Sequence, residues 1–515
     1  MSQSGSTGGG GDDNFAAGEA VVTDALDAAG LPTELGALDY LLHRGEAHPR
    51  TRSGIMAVEI LDKAPGWDRF VDTFENASRR VLRLRQKVVV PTWPTAAPRW
   101  VIDPDFNLDY HVRRLRVPEP GTLREVFDLA EVMLQSPLDI SRALWTATLV
   151  EGLRDGQAAV LLHMSHAVTD GVGAVEMFAN FYDLERDPPP KEPAPHPIPQ
   201  DLSPNDLARA GLNRLPGAVV GGVRGAIFGA AQVVGRVVRN PLSAVTGVVD
   251  YARSGTRVLG LAAEPSPLLR RRSLTTRSEA IDIDFAAFRT AAKAAEGSIN
   301  DAYLAGLCGA LRRYHEAFGM PIDSLPMAVP VNLRSEDDPA GGNRFGGVML
   351  AAPVGIADPA ARIGEIHARM CQGREERAID VLGAMAPLLS VLPDPLVESV
   401  VGSIVSSDVQ ASNVPVYPGD TFLAGAKVLR QYGLGPLPGV AMMAVLVSRG
   451  GTVTVTTRYD RASITDDGLF AQCLLDGFNE VLALGGPDNG RATPASFTPE
   501  PANEPQRSST NGEAS

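Results

Sequence analysis

A proline-rich segment divides this chain of 515 residues into two long stretches that each have a globular pattern. Residues 187–204 contain so many prolines that neither a helix nor a strand can continue through them, because proline lacks a backbone N–H group and fixes its own φ angle. Such a segment is typical of an extended linker. Since the chain is longer than one hydrophobic core usually supports, two compact units are expected.

The patterns on either side of this break predict the limits of the units. The first unit is predicted over residues 31–186 and the second over residues 273–485, with residues 187–272 forming the linker and a helical crossover. The two tails, residues 1–30 and 486–515, are predicted to be disordered. The first tail lacks the basic start and apolar run of a secretory signal, which favours a cytoplasmic protein.

A strand pattern in the first unit ends at a histidine. Residues 145–152 and 158–165 predict two strands joined by a tight turn. Apolar residues then recur near helical spacing as far as Tyr182, which predicts a helix that begins just after Gly171. His166 is therefore predicted between the end of a strand and the start of a helix.

The second unit also mixes both element types. Its helices are predicted over residues 285–295, 300–317, 360–371 and 466–484, and its strands over residues 327–333, 348–354, 442–448 and 452–459. Ser298 precedes Asp301 by the spacing of a capping box, which places Asn300 and Asp301 in the first turn of a helix. The fold class predicted is mixed α/β in two halves.

Charge and cysteine content exclude several function classes. A formal net charge of -14 opposes nucleic-acid binding, which requires an excess of Lys and Arg. The cysteines are odd in number, far apart and without metal-ligand spacing, so we expect reduced packing residues and no metal site; they are Cys308, Cys371 and Cys473. The sequence also contains no uninterrupted apolar stretch of roughly 18 residues, so any membrane contact is expected to be peripheral.

Residues 201–262 form a locally basic stretch that contains seven arginines and three aspartates. Two interpretations remain open for it. It forms either an amphipathic surface that contacts lipid or a helical crossover that packs on both units.

His166, followed by Asp170 and Gly171, is the strongest chemical feature. An imidazole can accept a proton from a hydroxyl group near neutral pH when the loop behind it fixes its orientation, and glycine allows such a loop to turn tightly. The alternative is a histidine that has a purely structural role at the end of a strand.

The segments around His166 make this pattern more specific. In chain order they are Leu38-Asp39, Asp109-Tyr110-His111-Val112, Pro137-Leu138-Asp139, Asn300-Asp301, Pro330-Val331-Asn332-Leu333-Arg334, Gly342-Asn343-Arg344-Phe345-Gly346 and Ser412-Asn413-Val414-Pro415. With these segments, residues 35–480 resemble the bacterial wax ester synthase/acyl-CoA:diacylglycerol acyltransferase family, which is related to chloramphenicol acetyltransferase and to peptide-synthetase condensation domains.

The resemblance implies a fold and an activity. The fold implied is α/β, with two chloramphenicol acetyltransferase-like domains and the active site and substrate channel between them. The activity implied is O-acyl transfer from acyl-CoA, the co-substrate, to diacylglycerol or a long-chain fatty alcohol, with no covalent intermediate, metal or other cofactor. Two alternatives stay open: an enzyme of the same superfamily that acylates another alcohol or an amine, and a catalytically weakened protein that binds a membrane or lipid-droplet surface.

The resemblance also implies roles for individual residues. His166 corresponds to the catalytic base, and Asp170 orders the loop, with Arg334 as its expected partner. Asn300 and Asp301 either orient a substrate or cap the helix. The remaining positions are expected to bind substrate or to support the site, and they are Gly171, Asn332, Asn343, Ser412 and Asn413.

Two positions depart from the family pattern. The family has paired histidines where this chain has Ser165 and His166, and His163, two residues before Ser165 on the same strand face, is expected to be structural. Val416 and Tyr417 replace a Gly-Pro pair, and Tyr417 is expected to narrow a substrate pocket. His111 is predicted in a strand with a structural role.

Overall fold

The structure is a computed structural model that describes residues 32–169, 177, 179–214, 263–332, 345–375 and 407–498. The predictions for the N-terminal tail, for most of the helix after Gly171 and for residues 215–262 of the basic stretch lie outside the described residues.

Strands and helices occur in both halves of the described chain. The strands are β1 (Gly54–Leu61), β2 (Gln86–Val89), β3 (Arg99–Ile102), β4 (Val112–Arg116), β5 (Trp145–Glu151), β6 (Ala158–Ser165), β7 (Tyr182–Asp183), β8 (Thr276–Asp284), β9 (Leu325–Asn332), β10 (Phe345–Ala352), β11 (Val409–Pro415), β12 (Phe422–Leu423), β13 (Ala426–Leu434), β14 (Met442–Arg449), β15 (Thr452–Asp460) and β16 (Thr493–Pro494). The helices are α1 (Ala37–Gly45), α2 (Trp67–Arg80), α3 (Leu108–His111), α4 (Leu123–Gln135), α5 (Pro204–Arg214), α6 (Phe285–Ala294), α7 (Ile299–Ala317), α8 (Pro359–Glu375) and α9 (Asp467–Leu482).

Two seven-stranded sheets organise these elements. The strand order is β4-β5-β6-β1-β13-β12-β7 in the first sheet and β10-β9-β11-β14-β15-β8-β16 in the second. The predicted hairpin is confirmed, since β5 pairs antiparallel with β6. The strands predicted at residues 442–448 and 452–459 are β14 and β15, which also pair in antiparallel orientation. The apolar periodicity of the second half also gave α6, α7, α8 and α9 correctly to within a few residues.

Strand β13 joins the two halves, because it lies within the second half in sequence but pairs into the first sheet, between β1 and β12. It pairs antiparallel with β1, with Met56 opposite Leu434. The other side of β13 packs closely on β14: a Cβ atom at Gly433 would lie 2.7 Å from Val445 Cγ1. Glycine is therefore required there, since any side chain would separate the two sheets.

A buried ion pair provides a second connection between the halves. Arg458 Nε on β15 donates to the Glu131 Oε1 and Oε2 atoms on α4 at 3.2 and 3.1 Å, and both side chains are almost fully buried. The Thr276 and Ser278 hydroxyl groups on β8 also donate to Glu131. The carboxylate thus has several charge-assisted hydrogen bonds that offset the cost of its burial.

The proline-rich segment is extended, as predicted. Residues 188–203 form neither helix nor strand. They lie along the first half, where Arg80 Nη2 donates to the Glu192 carbonyl oxygen at 2.8 Å and the Ala194 N–H donates to Asn76 Oδ1 at 3.1 Å. Within the described ranges, no helix has the length and apolar character needed to cross a membrane.

Three predictions about local structure are wrong. Residues 109–111 form the end of α3 rather than a strand, because the Asn107 side chain accepts a hydrogen bond from the Asp109 N–H at 2.9 Å and starts a helical turn. Tyr182 is not helical, because it belongs to β7, where it pairs with Leu423 of β12.

The third error concerns the C-terminal tail, which was predicted to be disordered from residue 486. Residues 486–498 are ordered against the second sheet, where β16 pairs with β8. Ser496 Oγ donates to Glu279 Oε2 at 2.6 Å and accepts from the Ala280 N–H at 2.8 Å. The polar composition of this segment gave no sign of these partners. Residues 499–515 lie outside the described residues.

We predict that Arg458→Met lowers the apparent free energy of unfolding by about 3–5 kcal/mol, because it leaves the Glu131 carboxylate buried without its cation. The double variant Arg458→Met/Glu131→Gln should regain more than half of this loss, since a neutral amide still bonds to Thr276 and Ser278. Urea unfolding of the three proteins measures both effects. Equal stability of the single variant and the wild type would contradict the role assigned to this pair.

Candidate active site

Strand β6 carries His166 into the centre of the first half. All eight residues of β6 are buried, because the strand lies between β1 and β5. Leu162 and Met164 pack into the apolar core on one side of the sheet, whereas Leu161 packs into the core on the other side. The strand ends at Ser165, and the half-buried His166 is the first residue of the turn that follows.

Backbone hydrogen bonds fix this turn on both sides of His166. The His166 N–H donates to the Ser53 carbonyl oxygen at 3.2 Å, and the Val168 N–H donates to the Ser165 carbonyl oxygen at 3.1 Å. The Ser165 N–H in turn donates to the Leu144 carbonyl oxygen at 3.0 Å. The backbone that carries the imidazole is therefore held by the strand before it and by the segment that leads into β1.

The Ser165 side chain belongs to a buried polar cluster directly behind this turn. Ser165 Oγ donates to Glu46 Oε1 at 2.7 Å and accepts from the Ala167 N–H at 3.2 Å. Ser53 Oγ donates to the same Glu46 oxygen at 3.0 Å. Because Ser165 and Ser53 both bond to Glu46 and to the backbone next to His166, the cluster connects the two chain segments that position the imidazole.

Glu46 is fully buried at the centre of this cluster. Burial raises the pKa of its carboxyl group above the usual range, and this effect is opposed by the hydroxyl hydrogen bonds from Ser165 and Ser53 and by the charge of Arg52. The two hydroxyl donors therefore favour the ionised form of a group that burial alone would keep neutral.

His163 has a structural environment. Its ring lies against Gly54, where a Cβ atom would be 2.8 Å from His163 Nε2. Burial lowers the pKa of His163 to about 3, with further lowering by Arg458, Arg52 and Arg113. The ring is therefore neutral near pH 7 and a weak proton acceptor, as the structural interpretation requires.

His111 is structural as well. Its Nδ1 atom donates to the Trp145 carbonyl oxygen at 2.7 Å, and its ring stacks on the Trp145 ring with the centroids 4.7 Å apart. Burial lowers the pKa of His111 to about 4. The ring therefore packs the core beside β5.

The capping box at the start of α7 is confirmed. Ser298 Oγ accepts from the Asp301 N–H at 3.1 Å, and Asp301 Oδ2 accepts from the Ser298 N–H at 2.9 Å. The same Asp301 oxygen accepts from His367 Nδ1 of α8 at 2.9 Å. Asp301 therefore caps α7 and binds α8, whereas a substrate-orienting role for the half-buried Asn300 remains a prediction.

Three predicted site residues lie in the second sheet. Asn332 ends β9, and Ser412 and Asn413 lie near the end of the parallel strand β11, so all three are at the same edge of the sheet. Ser412 shares a strand face with Val414, which packs with Val445 on the side that β13 covers. Ser412 is thus directed toward the interface between the halves, and Asn413 is exposed.

Tyr417 does not have the surroundings expected of a residue that narrows a pocket, since 52% of its surface is exposed. Its neighbour Val416 packs against the valine cluster of β14. Four further predicted site residues, Asp170, Gly171, Arg334 and Asn343, lie outside the described residues.

Sequence reasoning missed Glu46 and Ser53. They are 112 to 120 positions away from the turn that they support, and neither stands in a recognisable motif. The one signal was Ser165 itself, because a buried hydroxyl group needs a hydrogen-bond partner and here that partner is Glu46.

The fold described above has two seven-stranded sheets, and strand β13 of the second half lies in the first sheet. Residues 25–303 match the wax ester synthase/diacylglycerol acyltransferase catalytic domain, and residues 341–482 match the C-terminal domain of that family. A protein of Mycobacterium tuberculosis H37Rv, provisionally named a diacylglycerol O-acyltransferase, is 70% identical over 478 residues, which are 93% of this chain and 97% of that protein. A second one from the same strain, with a similarly provisional name, is 32% identical over 69% of this chain and 77% of its own length.

Solved structures support the same fold. The wax ester synthase/diacylglycerol acyltransferase from Marinobacter aquaeolei VT8 superposes with a TM-score of 0.57 at 18% identity, over 84% of this chain and 95% of that chain. The starter condensation domain of a rhizomide synthetase superposes with a TM-score of 0.52 at 12% identity, over 92% of this chain and 98% of that chain.

The chain belongs to the wax ester synthase/diacylglycerol acyltransferase family. The predicted resemblance, the two-sheet α/β fold and the acyltransferase class are thereby confirmed.

We predict that Ser165→Ala lowers kcat about tenfold with little change in KM, because the Ala167 N–H and Glu46 lose the hydroxyl that links them and the turn is held less accurately. The variant should keep measurable activity. Ser53→Ala is the matched comparison: it removes the other donor to Glu46 but leaves the Ser53 carbonyl bond to His166 intact, so its loss of kcat should be clearly smaller than that of Ser165→Ala. Steady-state release of CoA measures both. Equal kcat losses in the two variants would contradict a specific role for Ser165.

Proposed function

We propose that this protein transfers a long-chain acyl group from acyl-CoA to the free hydroxyl group of diacylglycerol, which forms triacylglycerol. A long-chain fatty alcohol is proposed as a second acceptor that yields a wax ester. The proposal rests on the family to which the chain belongs and on a histidine held by a rigid turn in the first half of the fold.

His166 is proposed as the general base. Its imidazole takes the proton from the acceptor hydroxyl as the oxygen attacks the thioester carbonyl carbon. The tetrahedral intermediate then expels the CoA thiolate, which receives the proton from the imidazolium. General-base catalysis of this kind accelerates a reaction by roughly 10²- to 10⁴-fold.

The observation that carries the proposal is the support of the His166 turn by Ser165, Glu46 and Ser53. This cluster bonds one oxygen of a buried carboxylate to two hydroxyl groups that are themselves next to the His166 backbone, so the imidazole is held in a fixed place, as a general base requires. The cluster therefore favours an active enzyme over a protein that only binds lipid surfaces.

The acyl chain and diacylglycerol are apolar, so we also propose that the protein acts in the cytoplasm at the surface of a membrane or lipid droplet. The basic stretch of residues 201–262 is the proposed contact region. Its arginines would lie at the lipid headgroups. Helix α5 lies at the start of this basic stretch, and it exposes the apolar side chain of Leu212 to solvent, as contact with lipid requires.

The test is release of free CoA from palmitoyl-CoA with a panel of acceptors: diacylglycerol, hexadecanol and a short polar alcohol. We expect the wild type to be fastest with diacylglycerol and His166→Ala to lose at least about 100-fold in kcat, which is the contribution of a general base. His196→Ala, which removes an exposed histidine in the linker, is the matched control and should retain full activity.

Each outcome of this panel discriminates between functions. A clear preference for the short polar alcohol would assign the protein to another acceptor class. Binding to liposomes without CoA release from any mixture would overturn the enzymatic proposal, and full activity of His166→Ala would overturn the assignment of the base.

A further inference from the structure

A cysteine, a histidine and an aspartate form a second chemical constellation, outside the His166 turn. Cys371 and His367 are one turn apart on α8, and Cys371 Sγ lies 3.7 Å from His367 Nε2. The other ring nitrogen, Nδ1, lies 2.9 Å from Asp301 Oδ2 on α7. The order of contacts is therefore thiol, imidazole and carboxylate, which is the order found in nucleophilic triads.

The Asp301 carboxylate orients the His367 ring. The Asp301 side chain is 4% exposed and is held in place by the Ser298 N–H and hydroxyl groups at 2.9 and 2.7 Å. In the neutral ring that donates from Nδ1 to Asp301, Nε2 is the nitrogen with the lone pair, and it faces the sulfur atom. His367 can thus take the thiol proton when the sulfur attacks an electrophile.

Cys371 differs from the other two cysteines in access and in chemistry. It is exposed, whereas Cys308 and Cys473 are buried. Burial raises the pKa of Cys308 to about 12 and that of Cys473 to about 11, so both thiols are unreactive near neutral pH. The same chain therefore contains two internal controls for the reactivity of Cys371.

The capping box does not account for the triad. Ser298 and Asp301 complete the box by themselves, and His367 reaches Asp301 from a different helix. The His367 side chain is half exposed, so its contact with Cys371 contributes little to packing. A chemical role explains why the imidazole is oriented between the carboxylate and an exposed thiol.

We propose that Cys371 is a nucleophilic acyl acceptor, activated by His367 and Asp301, that takes a long-chain acyl group from acyl-CoA. The Cys371 sulfur forms a bond with the acyl carbonyl carbon as its proton passes to His367 Nε2. The bond between that carbon and the CoA sulfur breaks, and the CoA thiolate receives the proton from the imidazolium. One thioester is exchanged for another, so the step needs no oxidant and no further energy source.

This inference rests on the proposed function only for the choice of electrophile. Its consequence would be a single acyl chain attached to α8, and one such chain supports marginal, reversible binding to a lipid surface. The acylated protein would thus stay near its apolar substrates.

The experiment incubates the full chain with palmitoyl-CoA in the absence of an alcohol and follows the intact mass with time. We expect one acyl group per chain, removable by hydroxylamine and mapped to Cys371, with Cys308 and Cys473 unmodified. Cys371→Ser should take up no acyl group but should retain ester formation. His367→Gln should slow acylation about 100-fold, the contribution of a general base.

Gln372→Ala is the matched control, because it changes the exposed residue beside Cys371 and leaves the triad intact; its acylation rate should equal that of the wild type. Alkylation by iodoacetamide in parallel should show the same dependence on His367. Acylation at an equal rate in His367→Gln and the wild type, acylation of a buried cysteine instead, or no acylation at all would each overturn the proposal.

The proposed ester formation and the proposed acylation of Cys371 can be tested independently. His166→Ala should lose ester formation but keep acylation of Cys371. Wild-type protein that acylates Cys371 yet forms no ester with any alcohol would overturn the proposed function and leave this inference standing.

Discussion

The pairing of β13 with β1 is the interaction on which the arrangement of the molecule depends. The strand leaves the second half, completes the first sheet two positions from β6, and packs its glycine-bearing side on β14 of the second sheet. β13 thus contacts both sheets directly, through its pairing with β1 and its packing on β14. The ion pair of Arg458 with Glu131 then fixes α4 against β8 and β15. Strand β6, which ends next to His166, lies two positions from β13 in the same sheet.

The His166 turn is supported by a cluster of buried polar groups. The family pattern has a histidine at the position of Ser165, and in this chain the Ser165 hydroxyl joins Glu46 to the Ala167 N–H. Ser53 contributes both its hydroxyl, to Glu46, and its carbonyl oxygen, to the His166 N–H. The backbone of the proposed base, His166, is therefore held by hydrogen bonds that involve two remote segments.

Local patterns in the sequence were sufficient for much of the fold. Apolar periodicity and turn residues located the hairpins on both sides of the molecule and the helices of the second half, and the Ser298–Asp301 spacing located a capping box that the structure contains. These features depend on residues within a few positions of one another, which is why a single sequence reveals them.

Features that depend on distant partners were missed. The exchange of β13 into the first sheet, the contact of Ser496 with Glu279 and the cluster around Glu46 each join residues more than 100 positions apart. One error had a local cause: the Asn107 side chain caps a helical turn, so residues 109–111 form the end of α3 and not the predicted strand. The candidate site was thus predictable at His166 and Ser165, but the groups that hold these residues were not.

The central claim is that His166 removes the proton of the acceptor hydroxyl. The most direct measurement is a crystal structure of the protein with diacylglycerol and an unreactive thioether analogue of palmitoyl-CoA. The account predicts the hydroxyl oxygen within about 3.2 Å of a ring nitrogen of His166, the reach of a general base. A complex in which that hydroxyl is bonded to a different proton acceptor, with the His166 ring in contact with neither substrate, would contradict it.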